Sequence, residues 1–316
     1  MTACSSTDMS TLPPVALSGS IGNVTQTRQF DEEPREYSNS VTGTLRAKSY
    51  VWQPWFVTTE GGASLTHRFV EGGINNDNAL VVSGDMTLGI LPISQYPSTI
   101  NYSHTDSRTE GSFGFDFVRD RVNVTNRASI SNDLKTFSRF TYQTVDQEEV
   151  GFQEDLTLGL TVNKNFIDNA TTLNLEYSQS EFSASDPEDE DEDQLTGLVT
   201  LSHAYTPNSQ FNLQNRITAI REEEDQDSRS RDRLSLQAVS QSFWRPREAP
   251  YTVTSALRAL REVVDSAGTN AANDTDEVLI SGIVGVNYPI MPRLTTNFGI
   301  NGLYEDTLAE DEDSGA

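Results

Sequence analysis

Cysteine is nearly absent from this chain. Its single occurrence, Cys4, excludes an intrachain disulfide framework and any cysteine-rich zinc site. The three histidines, His67, His104 and His203, none near another in sequence, leave little room for a histidine-based metal site. Basic residues are scarce: 22 Lys and Arg stand against 47 Asp and Glu, a net charge of −25 over 316 residues. A nucleic-acid-binding face needs the opposite sign. No apolar run reaches the 18 residues of a membrane-crossing helix. Hydrophobic residues make up only 35%, low for a soluble globular domain. There is no Gly-Xaa-Ser-Xaa-Gly elbow between a strand and a helix, and no glycine-rich phosphate loop. No catalytic constellation stands out, so the reading is of a non-enzyme without cofactor or resident metal.

Disorder would account for the charge and the low hydrophobicity, but not for the period. Leu80, Val82, Gly84, Met86, Leu88 and Ile90 alternate with Ser83, Asp85, Thr87 and Gly89. That is period-2 alternation, one face apolar and one polar. It recurs in Leu156, Leu158, Leu160 and Val162, in Leu173, Leu175 and Tyr177, and in Phe211, Leu213, Ile217 and Ala219. Leu234 to Trp244 and Leu294 to Ile300 repeat it. Helical spacing is weak throughout, its best stretch being residues 256–264. Each strand is expected to run roughly 11 to 16 residues, well beyond the usual 5 or 6, and long enough for the about 9 to 11 that cross a bilayer at a tilt.

The connections fall into two kinds that take turns. Short, turn-forming ones are expected at residues 53–54, 92–97, 131–133, 163–169, 206–209, 245–250 and 289–293. Longer and mostly acidic ones are expected at 29–38, 70–78, 106–120, 146–149, 183–194, 221–232 and 265–277. With a first strand from about Val15 to Arg28, this makes fifteen antiparallel strands. Aromatics cluster at the short turns: Trp52, Trp55, Phe56, Tyr96, Tyr205, Trp244, Tyr251 and Tyr288. An amphipathic ring is favoured at a membrane–water boundary, so these are girdle candidates. Phe69, Phe152, Phe182 and Tyr304 are candidates for a second girdle.

On these features the chain resembles the porin-like outer-membrane β-barrels of Gram-negative bacteria. The resemblance is one of architecture, from Val15 to Tyr304, and includes the turn Ser49-Tyr50-Val51-Trp52-Gln53-Pro54-Trp55-Phe56. It implies an all-β, up-and-down transmembrane barrel in the bacterial outer membrane, occupying residues 15–316 after an N-terminal tail at 1–14. It also implies a signal peptide, insertion by the barrel-assembly machinery, contact with membrane lipid and lipopolysaccharide, and a last strand ending in an aromatic residue. Such barrels have even strand counts, so sixteen or more strands are expected in a complete chain. Met1-Thr2-Ala3-Cys4 resembles the end of a lipoprotein signal, which makes Cys4 a lipidation candidate; an ordinary tail with a stray cysteine is the other reading.

If the apolar face meets lipid, the alternate face lines the lumen. That face would carry ten cations, Arg46, Lys48, Arg68, Arg121, Arg127, Lys135, Arg139, Arg216, Arg233 and Arg258, against four anions, Glu60, Asp85, Asp155 and Glu176. Basic rings favour anions, which suggests a passive pore or an envelope-polymer export channel. Alternatively these cations pair with acidic groups and the interior is filled, leaving a structural or surface-binding barrel. The acidic runs at 186–193 and 222–225 are expected as solvated loops, with weak binding of divalent cations as the alternative. A soluble sandwich would need its apolar faces to meet in a core.

Overall fold

The computed structural model describes residues 14–28, 36–71, 77–110, 116–148, 150–186, 190–226, 229–268, 274–291 and 294–308. Cys4 and most of the N-terminal tail lie outside them. The described residues form fifteen strands: β1 (Ala16–Arg28), β2 (Glu36–Val51), β3 (Val57–Glu71), β4 (Asp77–Ile90), β5 (Ser98–Glu110), β6 (Phe117–Ser129), β7 (Leu134–Gln147), β8 (Gly151–Asn165), β9 (Asn169–Ala184), β10 (Glu192–Asn208), β11 (Phe211–Gln226), β12 (Arg229–Trp244), β13 (Thr252–Gly268), β14 (Thr275–Met291) and β15 (Leu294–Leu308). Each is hydrogen-bonded to its neighbours in sequence, in the order β1 to β15. The expected all-antiparallel, up-and-down order is therefore observed, and residues 256–264 are strand.

By its contacts the chain divides into two units. One comprises Met1–Asn126 and Thr141–Phe152, the other Arg127–Phe140 and Gln153–Ala316. Neither unit builds a core: among the described residues Val264 is the one buried large hydrophobic side chain. Alternation along each strand instead sorts side chains to two faces, because residues directly opposite in an antiparallel ladder point to the same side.

The long connections are corrected. Residues 221–232 are not a loop: β11 runs to Gln226 and β12 starts at Arg229. Likewise β5 continues to Glu110 and β6 begins at Phe117, inside the expected loop 106–120. The acidic segments stay in the ladder because arginines on the same and adjacent strands neutralise them. Arg221 donates to Asp232 at 3.0 Å and also contacts Glu223, and Arg261 donates to Asp276 at 2.7 Å. Of the acidic run 186–193, residues 187–189 lie outside the described residues.

The short turns are held by local bonds. Trp52 adopts a left-handed backbone (φ 63°), unusual for a bulky residue. It is fixed by Gln53 N–H donating to Val51 O at 2.8 Å and Phe56 N–H donating to Gln53 O at 3.0 Å. Between β6 and β7, Ser131 donates its hydroxyl to Asp133 at 2.6 Å. That bond, then the Asp133 backbone N–H, holds this carboxyl below its ordinary value. A lowered folded-state value gives stability that is present above the ordinary carboxylate range and lost as pH falls through the lowered value. Ser131→Ala is expected to move the Asp133 midpoint in an NMR titration up toward the ordinary value; an unmoved midpoint would contradict this account of the turn.

Candidate functional site: the polar face of each unit

In the first unit, one face carries Leu45, Leu65, Val82 and Met86, and the other carries Arg46, Lys48, Glu60, Arg68, Asp85 and Arg121. In the second, Leu175, Leu201, Ile217, Leu236, Leu257 and Ile280 share the apolar face. Its polar face takes Glu176, Arg216, Arg233 and Arg258, linked through the same registers. Side-chain bonds carry that face on: Thr172–Asn163 and Ser180–Asp155 join β9 to β8, Arg139 packs against Gly159, and Arg127 lies over Phe137. Lys135 is in step with Phe137 and Arg139. Each of the ten sequence-derived cations, and each of the four anions, thus lies on the polar face of its own unit.

Several of these residues are brought together in a repeated pattern. Arg46, Gly62 and Asp85 are directly opposite one another across β2, β3 and β4. The guanidinium crosses over the glycine, 3.9 Å from Asp85, and reaches Glu60 at 3.3 Å. A Cβ at position 62 would lie 2.7 Å from the Asp85 carboxylate, which would have to shift to admit it. Lys48 also binds Glu60, at 3.0 Å. In the second unit Arg139 crosses Gly159 to Glu176 at 3.6 Å. Farther out, Arg233 bridges Glu222 at 3.2 Å and Glu262 at 3.0 Å. Arg68, Arg121, Arg127, Lys135, Arg216 and Arg258 have no carboxylate partner among the described residues.

Sequence reasoning missed some members of these faces. Arg119 shares the polar face with Arg121 and lies over the Phe117 ring; it was hidden inside an expected loop. Glu192, Glu222, Glu224, Glu262, Glu277 and Glu305 also fall on the polar face, against Arg229 and Arg231, which reduces the cation excess toward the strand tips. Phe182 is corrected: it is in step with Glu176 on the polar face, so it is no girdle residue. Phe69, Phe152 and Tyr304 are exposed on apolar faces. All three histidines lie on apolar faces. His67 meets Phe69 edge to face, His203 meets Thr171, and His104 shares Asp120 with the Tyr102 hydroxyl.

The girdle candidates cluster as rings at the short-turn ends. Trp52, Trp55 and Phe56 have centroids 5.5–6.2 Å apart, Tyr205 meets Phe211, and Trp244 meets Tyr251. Tyr96 and Tyr288 are exposed. Between these rings and the charged tips, the apolar face runs from Leu80 to Ile90 on β4 and from Phe211 to Ala219 on β11. That span matches the about 9 to 11 residues a tilted strand needs to cross hydrocarbon.

No protein-family model matches the chain, and neither does any curated protein sequence. Among solved structures it is similar to the siderophore receptor PirA from Pseudomonas aeruginosa, with a TM-score of 0.48 and 8% identity over 94% of this chain and 73% of that one. It is also similar to the alcaligin outer-membrane receptor FauA from Bordetella pertussis, with a TM-score of 0.43 and 10% identity over 94% of this chain and 60% of that one. OccK11 (OpdR) from Pseudomonas aeruginosa gives a TM-score of 0.32 and 10% identity over 93% and 96%.

Proposed function

We propose that this chain is an outer-membrane β-barrel protein whose apolar faces meet lipid and whose polar faces line a water-filled passive pore. One observation carries the reading. Strands long enough to cross a bilayer expose an apolar face, opposite a polar face with six cations that meet no carboxylate among the described residues. Ile217 and Leu257 are each 54% exposed in mid-strand. A soluble protein does not leave a continuous surface of that kind in water. The aromatic rings at the short turns suit one interface, and the paired charges at the tips suit the aqueous side of the other.

In this reading the lumen-lining residues are the ten cations above, foremost the six that have no carboxylate partner among the described residues. They act as an electrostatic lining and favour anions. The tip acids would meet lipopolysaccharide and divalent cations at the surface, and Cys4 would anchor the tail. Planar-bilayer recording of the protein refolded in detergent tests the pore. Discrete conductance steps with anion preference are expected. A folded protein that inserts and stays silent would instead favour a filled, surface-binding barrel.

A further inference from the structure

The polar face of the second unit changes character toward the short-turn ends of β12, β13 and β14. Arg216, Arg233 and Arg258 give way there to Phe243, Ala256 and Ile283, which the registers place on the same face. Phe243 is 40% exposed and Ile283 51%. Two large apolar side chains thus stand uncovered on the side that elsewhere carries charge.

They frame a depression of about 370 Å³. Small-molecule pockets run from about 300 to 1,000 Å³ and are mostly apolar, with a few polar groups that fix orientation. Ala256 on β13 stands between Phe243 on β12 and Ile283 on β14, and is too small to fill the space. Gly285, opposite Thr254 and Gly299, leaves the β14 backbone bare beside it. A Cβ there would lie 3.1 Å from Thr254 Oγ1, so the hydroxyl leans over the glycine.

The rim is polar and uncharged. Gln214 and Gln241 are directly opposite each other, and Asn212 is opposite Phe243. None of Asn212, Gln214, Gln241 and Thr254 is engaged by another side chain among the described residues. No ionised side chain among the described residues lines the depression. Arg258 turns away from it, and donates from Nε and Nη2 to the Gln237 amide oxygen at 3.0 and 3.1 Å. Arg216 lines a neighbouring depression.

We infer that this depression binds a small neutral aromatic solute carrying one amide or hydroxyl group. An aromatic ring packs edge to face or offset against Phe243. Ala256 and Gly285 leave room for a flat ring, and Ile283 closes the other side. An amide or hydroxyl on that ring donates and accepts, as Gln214, Gln241 and Thr254 require. A carboxylate would lose hydration here with no cation to replace it. The inference rests on the polar face being open to water, and gives the proposed pore a site for an uncharged solute beside its basic lining.

The test is calorimetric titration of the detergent-folded protein with benzamide, sodium benzoate and cyclohexanecarboxamide, three molecules of nearly the same size. Saturable binding of benzamide is expected, with weaker binding of cyclohexanecarboxamide, which has no π face, and none of benzoate. Phe243→Leu keeps the apolar area and removes the ring. It should weaken benzamide about twofold to tenfold and erase its advantage over cyclohexanecarboxamide. Gln241→Leu should cost about twofold to tenfold, the worth of one hydrogen bond. Ala256→Leu fills the depression and should abolish saturable binding. Heat-modifiable gel migration reports that this variant folds, and its titration gives the uptake of benzamide by detergent. Absence of saturable binding, benzoate bound as tightly as benzamide, or binding indifferent to Phe243→Leu and Ala256→Leu would overturn the site. Binding is read without conductance. A pore that conducts but does not bind benzamide overturns the site alone, and a protein that binds but never conducts overturns the pore alone.

Discussion

Replacing Ile217 by arginine is expected to prevent stable insertion of the chain, while replacing its neighbour Thr218 by arginine is expected to be tolerated. Ile217 stands between Leu201 and Ala238 on the apolar face, and Thr218 stands between Thr200 and Gln237 on the polar one. The two positions differ by one residue and by nothing else in their place along β11. An arginine on the lipid face near the bilayer midplane costs about 2–4 kcal/mol, and close to nothing where it faces water. That corresponds to roughly thirty- to a thousandfold in the folded population. Urea titration in lipid vesicles, with heat-modifiable gel migration as the readout of folding, measures the difference. Equal losses at both positions would mean that the two faces do not meet different solvents.

The second large effect concerns ion selectivity. Arg127 has no carboxylate partner among the described residues and lies 5.6 Å from the Phe137 ring centroid. Arg139 holds Glu176 at 3.6 Å. Arg127→Glu reverses an unpaired charge. Arg139→Glu both reverses a charge and releases Glu176, so its effect on selectivity should be the larger. In reversal-potential measurements each variant is expected to move the pore toward cation preference, and the double variant to cross into it. The shifts should be greatest in dilute salt, because the screening length is about 30 Å at 0.01 M and about 3 Å at 1 M. Arg139→Gln separates the two contributions, since it removes one charge without adding another. Reversal potentials that stay fixed across all these variants would place the cations away from the conducting path.

The strands themselves were legible because alternation is a local signal. Leu80 to Ile90 declares both its period and its apolar face without help from any other strand, and β4 has that range at its core. The same parity in Leu173, Leu175 and Tyr177 already assigns Phe182 to the opposite face, as the register shows. The strand tips were not legible. Glu222, Glu223 and Glu224 read as a repelling, solvated run, and only Arg221 beside them and the arginines of β12 across the ladder offset their charge in the strand. Which residues would lie on the polar side followed from alternation, but their grouping did not. The crossing of Arg46 over Gly62 to Asp85 depends on the registers of three strands at once. So does the alignment of Arg216, Val239 and Arg258 in one row, since a slip of one residue would separate them.

The central claim is that alternate residues of one strand face lipid and water. It is tested most directly by spin-label accessibility along β11. With Cys4 replaced by serine, single labels are placed in turn from Gln214 to Ala219 in the vesicle-inserted protein. Collision rates with oxygen, which concentrates in lipid, and with a water-soluble nickel chelate are then compared. The account predicts strict alternation: Asn215, Ile217 and Ala219 favour oxygen, and Gln214, Arg216 and Thr218 favour nickel. Uniform access to nickel at all six positions, or a profile without period two, would contradict it.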